Sequence, residues 1–340
     1  YISHVYYAPN YKWSNTSLML KKGKVAGTDE YIEGTAQITP NGQAITVNFS
    51  GATRNYSRLR IATMPNKPIT VTINKYTPAG SSNMKWDQNY ALTSDEKGNA
   101  YLYGTFENNS EVTVKYREAA LTTYTFSQAT ESAKSYALDA TVISANSAEE
   151  IKSAIEQKVA DGKTTIRLNL APNAGTNEFM AIREAIKGAA PNDLGTIELT
   201  IIGVETIPEE AFYKMLQLKS VRMSDVKEIK KYAFKECQYL TVVEAPSLNK
   251  LYSGAFKKCD QLSKLTFGPI NYADARNWPI FEYITPNIDL ILSDYQKEMI
   301  ETDSYLYTAN NDRDYAGSDE HNSKKFLGYE FKSITCRYPV

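Results

Sequence analysis

The stretch from Val204 to Pro269 repeats one pattern three times: VETIPEEAFYKMLQLKSVRMSD (204–225), VKEIKKYAFKECQYLTVVEAPS (226–247) and LNKLYSGAFKKCDQLSKLTFGP (248–269). An Ala-Phe pair recurs in every copy, and successive pairs are 22 residues apart. A fixed period of about 20–29 residues with a leucine-rich core is typical of a solenoid in which each turn contributes one short strand. The sequence therefore predicts a solenoid for this part of the chain.

The fixed positions of the copies predict the core of the solenoid. Positions that keep the 22-residue interval include Leu218, Leu240 and Leu262, and likewise Val221, Val243 and Leu265. We expect Phe212, Phe234 and Phe256 to stack as an aromatic ladder, each burying about 150–250 Å². Cys237 and Cys259 occupy one position in successive copies and are interpreted as small buried residues.

The residues beside the core positions are candidates for binding. Strand side chains alternate in direction, so the neighbours of Val221, Val243 and Leu265 should point to the concave surface. The candidate binding residues on this face are Thr200, Ser220, Arg222, Glu244, Lys264 and Thr266. Repeat proteins often bind extended ligands on such a face. The alternative is an ordinary solvated face in which opposite charges on neighbouring turns offset one another.

Residues 1–132 predict a different domain. Short alternating runs such as 44–49, 69–73 and 112–116 are separated by turn clusters, with no helical period. This pattern predicts an antiparallel β-sandwich. Residues 133–146 are richer in Ser, Ala and Thr and are assigned as a linker, and the solenoid domain is assigned to 147–340.

Two helical turns are expected to open the solenoid. Ser147 and Glu150 fit a capping box, and the helix that they start should end at Gly162. A second helix should run from about Thr176 to Gly188, and the strand before it places Leu168 opposite Leu199. After 269 the period fails, but Leu290 and a last strand over 331–336 are expected to continue it. The predicted fold class is multidomain, β followed by α/β.

Composition limits the partners. Lys and Arg number 38 against 39 Asp and Glu, a formal net charge of −1, which gives no support to nucleic-acid binding. The sequence contains no run of about 18 apolar residues, so no membrane-spanning helix is predicted. Because the sequence opens on Tyr1 rather than Met, we expect that a leader or anchor has been removed, and any membrane attachment would run through that anchor.

Enzyme signals are poor, so no catalytic residue, metal or cofactor is predicted. His4 and His321 are the two histidines and lie at opposite ends of the chain, and no nucleotide-binding or hydrolase motif occurs. The loop from Asp312 begins like a calcium site but lacks ligands at Ala316 and Ser323. The tryptophans, Trp86 among them, are interpreted as core, the alternative being an exposed platform for sugars.

The repeats resemble a known family. The pattern I-x-x-x-A-F-x-x-C-x-x-L-x-x-V, which runs from Ile229 to Val243, is similar to the BspA-like leucine-rich repeat; the first copy departs from it only at Met215. Members of that family are mostly surface or secreted proteins, several of which bind host matrix or other cells. The resemblance therefore implies adhesion.

The first domain resembles the fimbrillin-like domains of Gram-negative anaerobes. The stretches that carry this likeness are 57–62, 92–106, 122–126 and 135–138. The resemblance implies a location outside the cell or on its outer envelope. It implies no chemistry.

We therefore expect a non-enzymatic surface or secreted adhesion protein whose solenoid recognises a host or bacterial surface protein or a glycan. One alternative is a structural component or spacer of an envelope or fimbrial assembly. A polysaccharide-acting enzyme is a third alternative, although no carboxylate pair for it can be identified.

Overall fold

The computed structural model describes the following residues: 17–24, 31–41, 44–50, 56–79, 81–117, 119–132, 134–274, 279–284, 287–293, 325–327 and 329–337. The chain forms two compact units. The first comprises 1–114 and 122–139, and the second comprises 115–121 and 140–340. Neither helix in the described part of the chain is long and apolar enough to cross a membrane.

In the described part of the chain up to residue 139 the regular elements are strands. They are β1 (Ser17–Lys24), β2 (Tyr31–Asn41), β3 (Ala44–Ser50), β4 (Ser57–Ala62), β5 (Pro68–Ile73), β6 (Tyr76–Pro78), β7 (Gln88–Thr93), β8 (Asn99–Phe106), β9 (Glu111–Tyr116), β10 (Ala119–Thr125) and β11 (Ser135–Asp139). Their sheet orders are β1-β2-β3, β10-β9-β5-β7 and β11-β4-β8-β6.

The two four-stranded sheets each bury alternate residues. Strand β5 buries Ile69, Val71 and Ile73 and leaves the residues between them partly exposed. Strands β8 and β9 alternate in the same way. Phe106 stacks on Phe126 with ring centroids 4.7 Å apart. This period of two was visible in the sequence because each strand has one face in the core.

One pairing departs from the predicted antiparallel arrangement. Strand β11 lies parallel to β4, with Tyr136 opposite Leu59. The sequence between them contains β5 to β10, so no hairpin fixes their relative direction. Strand β11 also falls within the predicted linker 133–146, so that segment contributes a strand to a sheet.

The described part of the second unit contains two helices and a succession of short strands. The helices are α1 (Ala148–Ala160) and α2 (Thr176–Ala189). The strands are β12 (Ile143–Ser144), β13 (Thr165–Asn169), β14 (Ile197–Ile202), β15 (Thr206–Ile207), β16 (Leu218–Met223), β17 (Glu228–Ile229), β18 (Val242–Ala245), β19 (Lys250–Tyr252), β20 (Lys264–Phe267), β21 (Tyr272–Asp274), β22 (Asp289–Ser293), β23 (Lys325–Phe326), β24 (Tyr329–Glu330) and β25 (Ser333–Arg337).

Two parallel sheets connect the repeats. One has the order β12-β13-β14-β16-β18-β20-β22-β25, and the other has the order β15-β17-β19-β21. Residues 22 positions apart face each other in the first sheet, and the predicted longer step from Leu265 to Leu290 is also found. The buried row of this sheet is Leu199, Val221, Val243, Leu265 and Leu290. The sequence period is therefore the step between neighbouring strands.

The predicted register is wrong at the first helical turn. Ile166 lies opposite Leu199, whereas Leu168 lies opposite Ile201. A shift of two residues keeps every side chain on the same face of the sheet. Alternation alone therefore cannot distinguish the two registers.

The helix ends follow the predicted caps closely. The Ser147 hydroxyl accepts a hydrogen bond from the Glu150 amide at 3.2 Å, whereas the Glu150 carboxylate accepts from the Asn146 amide at 2.9 Å. Helix α1 ends at Ala160, and Gly162 follows with a φ of 72°. Helix α2 begins at Thr176 as predicted and ends one residue beyond Gly188. Their apolar faces pack into the core of the unit.

A column of phenylalanine rings fills the core. Centroid separations are 5.0 Å from Phe212 to Phe234, 5.4 Å from Phe234 to Phe256 and 5.7 Å from Phe256 to Phe281. Phe179 of α2 meets the first of these rings edge-on. The predicted ladder of three rings is therefore confirmed. Its fourth member, Phe281, was missed because it follows after 25 residues instead of 22.

The turns that carry the phenylalanines form a third ladder of hydrogen bonds. The amides of Phe212 and Lys214 donate to the carbonyls of Ala233 and Lys235 in the next copy, at 2.7 and 2.9 Å. Each copy holds two residues at positive φ, the pairs being Glu210 and Lys214, Tyr232 and Glu236, and Gly254 and Lys258. Most of these are not glycine, so the hydrogen bonds between copies must offset the cost of the left-handed backbone.

The buried cysteines satisfy backbone acceptors. The thiols of Cys237 and Cys259 donate to the carbonyls of Phe212 and Phe234, at 2.9 and 3.0 Å. Burial raises the pKa of the Cys237 thiol to about 12. Both cysteines are free and buried, as their interpretation as core residues required.

We predict that Phe234→Ala destabilises the second unit by about 3–5 kcal/mol, because it removes a ring stacked on both sides and leaves a cavity. Denaturant unfolding followed by fluorescence and circular dichroism measures the loss. The matched control is Gln238→Ala, an exposed position in the same turn, which should change the free energy of unfolding by less than about 0.5 kcal/mol. Equal losses in the two variants would contradict the role of the ring.

Candidate functional site

The outward side chains of the eight-stranded sheet form two rows, together called the strand face. One row contains Thr200, Arg222, Glu244, Thr266, Ile291 and Thr335. The other contains Glu198, Ser220, Val242, Lys264, Asp289 and Ser333. The six predicted binding residues therefore lie on one face, in two adjacent rows. This placement follows from the 22-residue register.

Two of the six residues are not accessible. Thr200 is 2% exposed and Ser220 is 5% exposed, so neither presents its side chain on the surface. Arg167, one strand earlier, is also buried, and its Nε donates to the carbonyl of Leu121. Alternation reports the direction of a side chain but not what lies over it. For this reason the sequence assigned Thr200 and Ser220 to an open surface.

The central part of the strand face carries paired charges. Arg222 and Glu244 lie opposite each other on β16 and β18, with Nε and Oε2 3.0 Å apart. About a third of each side chain is exposed, at 35% and 31%. Lys219 and Glu198 form a similar pair at 2.9 Å. Such pairs contribute roughly 0–1 kcal/mol, so they order the surface more than they stabilise it.

The far end of the strand face is more open. Lys264 is exposed and lies opposite Asp289 on the next strand. The Asp289 carboxylate accepts from the Ser333 hydroxyl at 2.6 Å and pairs with the Lys332 ammonium at 2.9 Å. These two contacts, with that of Ser333 the larger, lower the pKa of Asp289. Thr266 lies half-buried in the neighbouring row.

A groove of about 890 Å³ lies at the loop edge of the same sheet. Its polar lining includes Asn146, Asn169, Asp225, Lys227 and Ser247. Asp225 accepts from the Gly203 amide at 2.8 Å, and Lys227 pairs with Glu205 at 2.7 Å. The sequence did not predict this groove, although three of its residues keep the 22-residue spacing: Gly203, Asp225 and Ser247.

The four-stranded parallel sheet carries a second polar cluster. Glu228 accepts from Lys230 at 2.8 Å and from Lys250 at 3.2 Å, and the Lys230 ammonium lies 4.4 Å from the centre of the Tyr252 ring. Burial raises the pKa of Glu228, but the two lysines outweigh it, so the pKa lies below its ordinary value. These residues neutralise one another and need no ligand to do so.

Residues that could support other chemistry are scattered. Within the described ranges no three His, Cys, Asp or Glu side chains are grouped to hold a metal ion. His4, His321 and the loop from Asp312 lie outside the described residues. Trp86 is 56% exposed, so its interpretation as a core residue was wrong.

We predict that Arg222 and Glu244 are energetically coupled. A double-mutant cycle with Arg222→Gln and Glu244→Gln should give about 0.2–1 kcal/mol, falling as salt is added. Unfolding free energies of the four proteins supply the coupling. The control cycle combines Arg222→Gln with Glu209→Gln. Glu209 is an exposed residue in another part of the copy, so this cycle should give a coupling near zero. Equal couplings in the two cycles would contradict a direct ion pair.

Comparison with known proteins identifies the repeats. No curated protein and no solved structure matches the chain. The family described as the BspA type leucine rich repeat region matches residues 194–304 in six copies. This range contains the predicted copies of 204–269 and extends beyond them on both sides. The resemblance of the repeats to the BspA type is thereby confirmed for residues 194–304.

Proposed function

We propose that this chain is a non-enzymatic binding protein of the bacterial surface or of the secreted fraction, and that its repeats recognise a partner outside the cell. The observation that supports this proposal is the BspA-type repeat region over residues 194–304, because proteins with such repeats are commonly surface adhesion or binding proteins. The resemblance of the first domain to fimbrillin-like domains adds a proposed location on the outer envelope of a Gram-negative bacterium.

We infer that the two parallel sheets are two sides of one leucine-rich-repeat solenoid. Consecutive copies contribute consecutive strands to both sheets, at the same spacing. The phenylalanine column lies in the core that both sheets share. A solenoid of this kind offers the strand face as a continuous surface.

The strand face between β16 and β22 is the proposed recognition surface. It presents charges of both signs at Arg222, Glu244 and Lys264, and these alternate with the partly exposed apolar residues Val242 and Ile291. Mixed charges around apolar contacts suit a protein partner, since charge complementarity sets register and apolar burial supplies affinity. A protein on a host or bacterial surface is therefore favoured over a glycan. The net charge of −1 favours neither nucleic acid nor another polyanion on this face.

We predict that charge reversal on the strand face weakens binding and leaves the fold intact. The intact chain is first screened on an array of matrix proteins and glycans, and the affinity for the strongest partner is then measured for Lys264→Glu and Arg222→Glu. Each reversal should weaken that affinity by about tenfold, equivalent to about 1.4 kcal/mol, because a complementary contact becomes a repulsive one. Thermal unfolding checks that each variant remains folded.

The control for this experiment is Lys250→Glu, which makes the same change on β19 of the parallel sheet β15-β17-β19-β21. It should leave the affinity unchanged. If Lys250→Glu weakens binding as much as Lys264→Glu, the strand face is not the recognition surface. A screen in which glycans bind and proteins do not would replace the protein partner by a glycan.

A further inference from the structure

Four basic side chains lie around the turn of Glu210 and Tyr213 at the start of the repeats, and they are called the basic corner: Arg183, Lys187, Lys214 and Lys235. The first two come from one face of helix α2, and the others come from the turns of the first and second copies. The ammonium groups of Lys214 and Lys235 lie 5.1 and 5.0 Å from the centre of the Tyr213 ring. The Lys187 ammonium donates to the Tyr213 carbonyl at 3.3 Å.

The Lys187 ammonium fills the place of a missing backbone donor, and this contact uses only one of its three N–H groups. In later copies the equivalent carbonyls, those of Lys235 and Lys257, accept an amide from the preceding copy. The first copy follows a helix, so no such amide is available and the Lys187 ammonium takes its place. Arg183 likewise donates to the Glu210 carbonyl at 2.7 Å. An ammonium has three donors and a guanidinium has five, so both side chains keep donors for another acceptor.

The acidic groups nearby do not neutralise this cluster. Among the described residues, Glu236 is the only carboxylate that pairs with any member, and its two oxygens are shared between Lys214 at 3.5 Å and Lys235 at 3.8 Å. Lys214 and Lys235 therefore share one carboxylate, whereas among the described residues no carboxylate pairs with Arg183 or Lys187. Burial, and after it the charges of Arg183 and Lys214, lower the pKa of Lys187, as expected where like charges crowd together.

We propose that the basic corner binds a tetrahedral oxyanion, a sulfate or phosphate group either carried on a glycan or free in solution. Such a group has enough acceptor oxygens to receive several charge-assisted hydrogen bonds at once. It would relieve the repulsion among the four cations. The site lies on the turns and α2, away from the strand face, so the inference does not depend on the recognition surface proposed above.

The repeat supplies a matched control for this site. Lys258 occupies the position of Lys214 two copies later and is also exposed, but the turn around it contains Tyr283 and the buried pair of Lys257 and Glu282. A general attraction between the protein and a polyanion would use both lysines equally. A specific anion site at the basic corner would use Lys214 and not Lys258.

The test titrates the intact chain by calorimetry with a heparin-derived hexasaccharide, with inorganic sulfate and with unsulfated dextran, at constant ionic strength. The variants are Lys214→Gln, Lys214→Arg, Lys258→Gln and Lys264→Glu. Lys214→Gln should weaken binding of the sulfated hexasaccharide by about tenfold, because one charge-assisted contact is lost. Lys214→Arg should retain most of the affinity, and Lys258→Gln and Lys264→Glu should retain all of it.

The outcomes separate the alternatives. Tighter binding of the hexasaccharide than of inorganic sulfate supports a glycan-borne group, and equal binding supports a free anion. Equal weakening by Lys214→Gln and Lys258→Gln, or the absence of saturable binding by both anionic probes, overturns the proposal. Retained binding to the hexasaccharide in a variant that has lost its partner on the strand face would show that the two sites are independent.

Discussion

Each copy of the repeat leaves backbone donors and an apolar face that only the neighbouring copy can satisfy. The amide of Phe212 has its acceptor in the second copy, and the ring of Phe234 is covered by rings from the first and the third. A single copy therefore has no core of its own, and stability arises at the interfaces between copies. Helix α2 closes one end of this series by supplying the ring of Phe179 and side-chain donors where a preceding copy would have supplied backbone.

This dependence of each copy on its neighbours explains which parts of the fold could be predicted from the sequence. Residues that meet the same neighbours in every copy are kept at the same interval, so the strands and the first three phenylalanines could be predicted. Phe281 was hidden because three additional residues precede it, although its ring stacks as the others do. At Leu168 two registers that differ by two residues place the same side chains on the same face, and alternation does not distinguish them.

The candidate site was predictable in direction but not in exposure. The register places Arg222, Glu244, Lys264 and Thr266 on one face, as the spacing indicated. Ser220 points in the predicted direction but is buried, and alternation does not record burial. The basic corner was missed because Arg183 and Lys187 come from a helix outside the regular copies, so the 22-residue period does not relate them to Lys214 and Lys235.

The order of the strands in the sheet follows the order of the copies in the chain, and this has a mechanical consequence. A pull on the chain along the stack would load the contacts between two copies at a time rather than the whole sheet. Copies would then detach singly, each releasing about 75 Å of chain from 22 residues at roughly 3.4 Å per residue. A protein built in this way would yield to tension in steps and keep the remaining copies folded.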